Sequence, residues 1–275
     1  MAAGERATVN WRLYVDIGNF AVKFGVRSDG EWVALDSIQH YFGSLESEDE
    51  TADEIDDLLE EIQAALEECE MAPELCEAVV VSCTAQGAEA FLTRLERLFP
   101  CDLRRLGREL KPEIVSQYRS EDLGPDRLAN LIAARTLYTL PAIIIDSGTC
   151  ITSEVIAADG TFIGGNIGAG MPLISFGIMS LSERLRLAME ATMEEEPASP
   201  LGRSTAHAIY GGIALQLAGT ADRFADAALE ELQVAEATIV VTGGDGEVVH
   251  DLMTHESLYS PLLTLEGLRI IDGFE

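Results

Sequence analysis

Two hydrophobic periods alternate along this chain, and the alternation starts again near its middle. Apolar, partly β-branched runs at residues 11–15, 21–27 and 31–38 predict three successive strands. Ile55, Leu58, Leu59, Ile62 and Leu66 then recur at helical spacing with carboxylates between them, which predicts an amphipathic helix. A buried strand is predicted over 78–82, a second helix through Phe91, Leu92, Leu95, Leu98 and Phe99, and a short strand near 102–106. The second half resembles the first, with strands at 142–146, 150–156 and 160–166. A helix through Ile178, Leu181, Leu185 and Met189 follows, then a longer one with Ala206, Ile209, Ile213 and Leu217 on one stripe, then a strand at 238–241. Gly211 and Gly212 interrupt the longer helix; each costs roughly 1 kcal/mol relative to alanine, which close helix packing would offset. Residues 1–8 read as a loose tail, and 43–53 and 194–200 as acidic loops. The duplicated pattern predicts an α/β fold with mixed sheets in two tandem domains, 9–123 and 124–275.

Charge narrows the partners. The 275 residues carry a formal net charge of −30, and Lys23 and Lys111 are the only lysines. Such a surface repels nucleic-acid phosphates and anionic membranes alike. It suits a protein in high salt, where dense carboxylates stay hydrated; the alternative is ordinary acidic helix faces with arginine used in place of lysine. The cysteines at 69, 76, 83, 101 and 150 are odd in number and lack C-x-x-C spacing, so neither a disulfide framework nor a zinc site is indicated. Residues 1–10 hold no apolar signal core, and no run approaches the roughly 18 apolar residues of a membrane span. A reducing cytoplasm is the expected location.

An acidic-glycine signature occurs once in each half, as Asp16-Ile17-Gly18-Asn19 and Asp146-Ser147-Gly148-Thr149. Each sits between two predicted strands. The glycine permits a tight turn and close ligand approach, Asn or Thr adds a polar side chain, and Asp supplies a carboxylate for a cation or water. Singly this is a common hairpin turn; two copies with matching flanks form a stronger signal for holding a nucleotide's phosphates. A third element, Gly124-Pro125-Asp126-Arg127, reads as a helix start, with Asp126 available as a general base and Arg127 as an anion clamp. The cluster Gly164-Gly165-Asn166-Ile167-Gly168-Ala169-Gly170 lacks dinucleotide-fingerprint spacing and reads as a loop able to approach a ligand. Neither lysine completes a P-loop. His250 and His255 read as surface histidines, Trp11 and Trp32 as core or interface aromatics.

Together with Thr242-Gly243-Gly244, these elements resemble, in order and spacing, the type III pantothenate kinases over residues 11–270. That family belongs to the acetate and sugar kinase, heat-shock chaperone and actin superfamily. The resemblance implies two RNase H-like (actin-like) domains with mixed five-stranded sheets and a nucleotide cleft between them. It implies ATP-dependent phosphorylation of pantothenate to 4'-phosphopantothenate, the first step of coenzyme A biosynthesis. On the same ground, Asp16, Ile17, Gly18, Asn19, Phe20, Ala21, Val22 and Lys23 form the first ATP-phosphate segment, with Asp16 near the magnesium-bound phosphates. Asp126 corresponds to the catalytic base, within a Gly124, Pro125, Asp126 and Arg127 segment that holds pantothenate, and Tyr118 to a substrate-contacting tyrosine. Asp146 corresponds to the ligand of a monovalent cation, potassium or ammonium, and Thr149 to an ATP contact. Thr205 resembles a pantothenate-contacting threonine supplied across a homodimer. Phe20 stands where the family pattern has Thr or Ser, Pro125 and Cys150 where it has Ala, and Ala169 where it has Pro. Two alternatives stay open: another small-molecule kinase of the superfamily, and a non-catalytic nucleotide-binding relative.

Overall fold

Residues 10–40, 48–190 and 201–273 are described by a computed structural model. The first sheet grows from the predicted strands. Strand β1 (Trp11–Ile17) pairs antiparallel with β2 (Ala21–Ser28), which pairs with β3 (Glu31–Gln39). β4 (Cys76–Cys83) runs parallel to β1 on its other side, and β5 (Asp102–Arg105) closes the order β3-β2-β1-β4-β5. Strand alternation then sorts the side chains. Leu13, Val15, Ile17, Val79 and Val81 enter one core with Ile55, Leu58 and Ile62 of helix α1 (Glu48–Glu68) and Phe91, Leu92 and Leu95 of α2 (Glu89–Leu98). Each such side chain contributes about 1.5–3 kcal/mol by leaving water. Tyr14, Asp16, Val80 and Ser82 occupy the opposite parity, so they face the other side of the sheet. Where an acidic loop was expected over 43–53, residues from Glu48 onward are already helical; 43–47 lie outside the described residues, as do the tail 1–8 and the loop 194–200.

The second sheet repeats the plan. Strands β6 (Ala142–Ser147), β7 (Cys150–Ile156) and β8 (Phe162–Ala169) form an antiparallel meander. β9 (Thr238–Thr242) and the two-residue β10 (Leu258–Tyr259) add in parallel, giving β10-β9-β6-β7-β8. Read from the β8 edge, this is the first sheet's order. The predicted helix through Ile178 to Met189 is in fact two, α4 (Met171–Leu181) and α5 (Glu183–Glu190), broken where Ser182 turns extended. The long helix α6 (Thr205–Leu232) runs unbroken through its glycine pair, because Ile213, Ala214, Leu217, Ala218, Ala221 and Ala225 bury one continuous stripe. Gly211 is buried, whereas Gly212 faces open space within this chain. Helices α3 (Pro125–Leu137), α7 (Gly246–Leu252) and α8 (Leu263–Asp272) complete the fold. Among the described residues no helix is long and apolar enough to cross a membrane.

The chain forms two compact units, and they are not the contiguous segments 9–123 and 124–275 suggested by the sequence. Unit 1 comprises residues 1–113, 123–133 and 264–275; unit 2 comprises 114–122 and 134–263. Long-range polar contacts explain why the C-terminal helix returns to unit 1. Thr264 Oγ1 donates to Asn130 Oδ1 at 2.8 Å in a buried site, and Trp32 Nε1 donates to Glu266 at 2.7 Å. The buried Asp272 carboxylate accepts from Arg12, from Arg104 at 2.9 Å and from the Tyr14 hydroxyl at 3.3 Å. Burial works against the Arg12 charge, but Asp272 outweighs it and raises the guanidinium's pKa. Burial, and then Asp272, push the Tyr14 phenol up. Removing one member of such a network would leave charges stranded, which is costlier than never having had them. All five cysteines are free thiols. Cys76 lies inside the unit 1 core with Cys69, Cys83 and Cys101 packed against it, and burial pushes the Cys76 thiol up.

Candidate active site

In unit 1 the first acidic-glycine turn joins β1 to β2. Gly18 N donates to Ala21 O at 2.9 Å and closes the turn. Asn19 is exposed, Phe20 half-buried, and Asp16 only 9% exposed. Lys23 sits opposite Asp16 in the β1–β2 register. The end of β4 is tied to the same turn: Thr84 N and Ala85 N both donate to Ile17 O, at 2.9 and 3.2 Å. Gly124 caps α3, its carbonyl accepting from Leu128 N at 3.0 Å; Pro125, with no N–H to lose, opens the helix. A Cβ on Gly124 would lie 3.8 Å from Thr84 Cγ2 and 2.6 Å from Asp126 Oδ1. Asp126 Oδ1 accepts from Arg127 N at 2.8 Å, which fixes the carboxylate at the helix start. Arg127 is 7% exposed. The first turn and the Gly124–Arg127 segment therefore meet through Thr84 in one unit, although more than a hundred residues of chain separate them.

His40 was not legible as a site residue, yet it supports this turn twice. Its backbone N donates to Phe20 O at 3.0 Å, and its Nε2 lies 2.7 Å from Gly18 O. A carbonyl only accepts, so Nε2 carries the proton. The ring is fully buried, and burial holds its pKa below the ordinary imidazole value of 6.5 even though the Gly18 bond pulls upward. The unfolded chain therefore takes up this proton first as pH falls. The His40 contribution to stability is complete above about pH 6.5 and is lost as pH falls through the lower folded-state value. In urea titrations at pH 7 and 5.5, His40→Gln, which keeps an N–H donor but does not titrate, is expected to lose less stability on acidification than the parent. Equal losses would remove His40 from the pH response.

Unit 2 holds the second turn. Asp146, next to the end of β6, lies beside Thr152 of β7 and Thr242 of β9. Gly148 N donates to Cys150 O at 2.9 Å, and Asp245 N donates to Ser147 O at 2.9 Å, so Thr242-Gly243-Gly244 is locked onto this turn. The glycine cluster is not a free loop: residues 164–169 lie in β8 and Gly170 caps α4, and Gly165 and Gly170 admit neighbouring backbone. A Cβ on Gly165 would fall 1.7 Å from Ser153 O, and one on Gly170 2.0 Å from Gly148 O. Gly170 N also donates to Thr149 O at 3.1 Å. Tyr118 lies elsewhere in this unit, beyond β8, against Phe162 at 5.4 Å between ring centroids. Its segment is held to that edge by bonds between Gln117 N and Phe162 O and between Phe162 N and Val115 O. Thr205 is exposed at the start of α6, after the N-cap Ser204, whose hydroxyl accepts from His207 N at 3.2 Å. Asp146, Thr149 and the Thr242 turn thus come together, while Tyr118 lies beyond the β8 edge and Thr205 at an exposed helix start.

His250 and His255 are half-buried rather than free at the surface: His250 Nδ1 pairs with Ser257 Oγ at 2.8 Å and His255 Nε2 with Asp226 at 2.9 Å. Trp11 is a core residue, as expected, fully buried with Nε1 donating to Ala72 O at 3.1 Å.

A family model described as type III pantothenate kinase matches residues 12–227. A type III pantothenate kinase of Thermobifida fusca is 35% identical over 154 residues, covering 55% of this chain and 58% of that protein. One from Porphyromonas gingivalis is 34% identical over 169 residues, covering 60% and 67%. The chain thus spans roughly three fifths of the length of the relatives it matches. Among solved structures, a Campylobacter jejuni protein described as a candidate Baf family transcriptional activator superposes with TM-score 0.52 at 18% identity, covering 95% of this chain and 97% of that one. A candidate 2-dehydro-3-deoxygalactonokinase of Sinorhizobium meliloti gives TM-score 0.53 at 13% identity, covering 95% of each chain. At those identities the likeness shows the fold. The family match reaches from β1 into α6 and takes in both acidic-glycine turns and the Gly124–Arg127 helix start, so the chain belongs to the type III pantothenate kinase family.

Proposed function

We propose that this protein transfers the γ-phosphoryl group of ATP to the primary hydroxyl of pantothenate, giving 4'-phosphopantothenate for coenzyme A synthesis. The observation that carries the reading is the family match across both turns, supported by Gly124, at the head of the Asp126 segment, lying beside Thr84, which is bonded to the first turn within unit 1. Phosphoryl transfer asks a protein chiefly for positioning and charge neutralisation. Asp126 Oδ1 accepts from Arg127 N at the helix start, and the carboxylate takes the hydroxyl proton as the new O–P bond forms and the bond to ADP breaks. Arg127 matches the pantothenate carboxylate in charge. By resemblance to the family, the segment 16–23 and Thr149 are assigned to the nucleotide, and Gly124, Pro125, Tyr118 and Thr205 to pantothenate. Among the described residues no cluster of three or more His, Cys, Asp or Glu could hold a metal ion by itself. That fits magnesium, which draws most of its ligands from phosphate and water and needs one or two carboxylates, here Asp16. Bound magnesium supplies charge neutralisation at the phosphates, and a potassium or ammonium ion at Asp146 adds to it.

A homodimer is part of the reading. Exposed Ala208, Gly212, Leu215 and Gly219 form an apolar stripe on α6, continuing from Thr205, and Phe176 and Leu181 of α4 are exposed as well. The net charge of −30 argues against nucleic acid and anionic membranes as partners, and the free thiols suit a cytoplasmic location.

The test is ADP release from Mg·ATP with and without pantothenate, in potassium and sodium at constant ionic strength, with the product weighed. Pantothenate-dependent release and one added phosphate are expected. Release that needs a different acceptor would make the protein another kinase of the superfamily. Nucleotide binding with no turnover would favour a regulatory relative, the reading that Phe20 in place of a hydroxyl residue supports.

A further inference from the structure

Next to the end of strand β4 stands a polar residue that the proposed reaction does not use. Ser82 is fully buried, and its Oγ has no hydrogen-bond partner among the described residues. A hydroxyl in that state is destabilising, because it has left water without replacing the bonds it lost. Its position in the fold is specific. The parallel β1–β4 register sets Ser82 directly beside Asp16, on the same face of the sheet. Adjacent strands lie about 4.8 Å apart, so Ser82 and Asp16 are side-chain neighbours, and the serine hydroxyl can turn about its χ1 bond toward the carboxylate. Two residues further on, Thr84 ties the strand end to the first turn and borders Gly124 at the α3 start. Ser82 is therefore a buried, unpartnered donor two residues before Thr84, which borders both the first turn and Gly124.

We propose that Ser82 is a positioning residue for Asp16, its hydroxyl bonding to that carboxylate when the carboxylate engages the magnesium-bearing phosphates of the nucleotide. The inference rests on the nucleotide-dependent reading above. In the ligand-free protein the hydroxyl is a local cost; on binding it becomes a charge-assisted bond that holds one carboxylate oxygen while the other faces the ligand. Strain carried by the free protein and relieved on binding has a signature that a merely structural serine lacks: removal of the hydroxyl moves free-state stability and ligand affinity in opposite directions.

The experiment compares the parent, Ser82→Ala and Ser82→Thr by thermal unfolding without and with Mg·ATP, and by steady-state kinetics. Ser82→Ala is expected to raise the ligand-free Tm by about 2 °C. It is also expected to weaken Mg·ATP about tenfold, seen as a smaller ligand-induced Tm shift and a higher KM for ATP, with kcat changed less. Ser82→Thr, which restores the hydroxyl, is expected to return both toward the parent. A lower ligand-free Tm in Ser82→Ala, or an unchanged Mg·ATP shift, overturns the proposal while leaving the kinase reading in place. A parent protein with no Mg·ATP shift and no turnover overturns the kinase reading and this inference together.

Discussion

Asp126→Asn is expected to lower kcat by about 10²- to 10⁴-fold while leaving Tm and nucleotide affinity near the parent values. The substitution is close to isosteric. An asparagine Oδ1 still accepts from Arg127 N at the helix start, so the local fold keeps the bond it has at 2.8 Å. What is lost is the basic oxygen proposed to take the acceptor's proton. A structural role for Asp126 alone gives a different outcome, since turnover would then track stability and stay near the parent. Gly124→Ala separates position from basicity. Its Cβ would stand 2.6 Å from Asp126 Oδ1, so the carboxylate has to swing away although its chemistry is intact. A fall in kcat in both variants, with only Gly124→Ala also disturbing the helix start, places proton transfer at a precisely held carboxylate. Parent-level turnover in Asp126→Asn would leave Asp126 as the first-turn acceptor of α3 and no more.

The strands were legible because β-branched runs of this length, bounded by turn residues, have few other solutions, and the repeated strand order follows from the repeated pattern. The turns at Asp16 and Asp146 could be read for the same reason, since each lies between two such strands. Unit membership was hidden. Asn130 with Thr264, and Tyr14 with Asp272, are joined across 134 and 258 residues, and no local signal announces either contact. The short α7 and β10 were not predicted, because too few residues of each carry a period; the ten-residue α8 was not predicted either. The glycine cluster misled in an instructive way: glycines suggest a loop, but here they thin a strand so that Ser153 and Gly148 backbone can approach it. His40 and Ser82 had no motif to mark them. For Ser82 there was a usable signal, a hydroxyl closing the apolar run Ala78-Val79-Val80-Val81 at the same parity as the acidic position of the neighbouring strand. For His40, the signal would have been its place at the end of the third strand, next to the turn that the first two strands make.

The largest effect expected in unit 2 comes from Gly243→Ala, with Gly244→Ala as its neighbour control. Gly243 has φ +100°, a backbone conformation that side-chain-bearing residues adopt only under strain. A Cβ there would fall 2.2 Å from Ser147 O and 2.6 Å from Asp146 Oδ1, and the first of these is main chain, which no side-chain rotation relieves. Either β9's end or the Asp146 turn has to move. The loss should be on the order of 4 kcal/mol, in the range reserved for backbone conflict in a packed site. Gly244, one residue on, has nothing within 4 Å of its Cβ position, so alanine there should change stability by no more than a few tenths of a kcal/mol. The pair also bears on the proposed cation site. If the Asp146 carboxylate helps to hold a monovalent ion, displacing it should abolish the preference for potassium over sodium in whatever Gly243→Ala protein remains folded, and Asp146→Ala should do the same with a smaller loss of stability. The measurements are urea unfolding and ADP release in the two salts at fixed ionic strength, since a chain of charge −30 also responds to general screening. Matched stabilities for the two glycine variants would mean that the Thr242 turn does not press on Asp146 as its geometry requires. A potassium preference retained in Asp146→Ala would give that carboxylate another role.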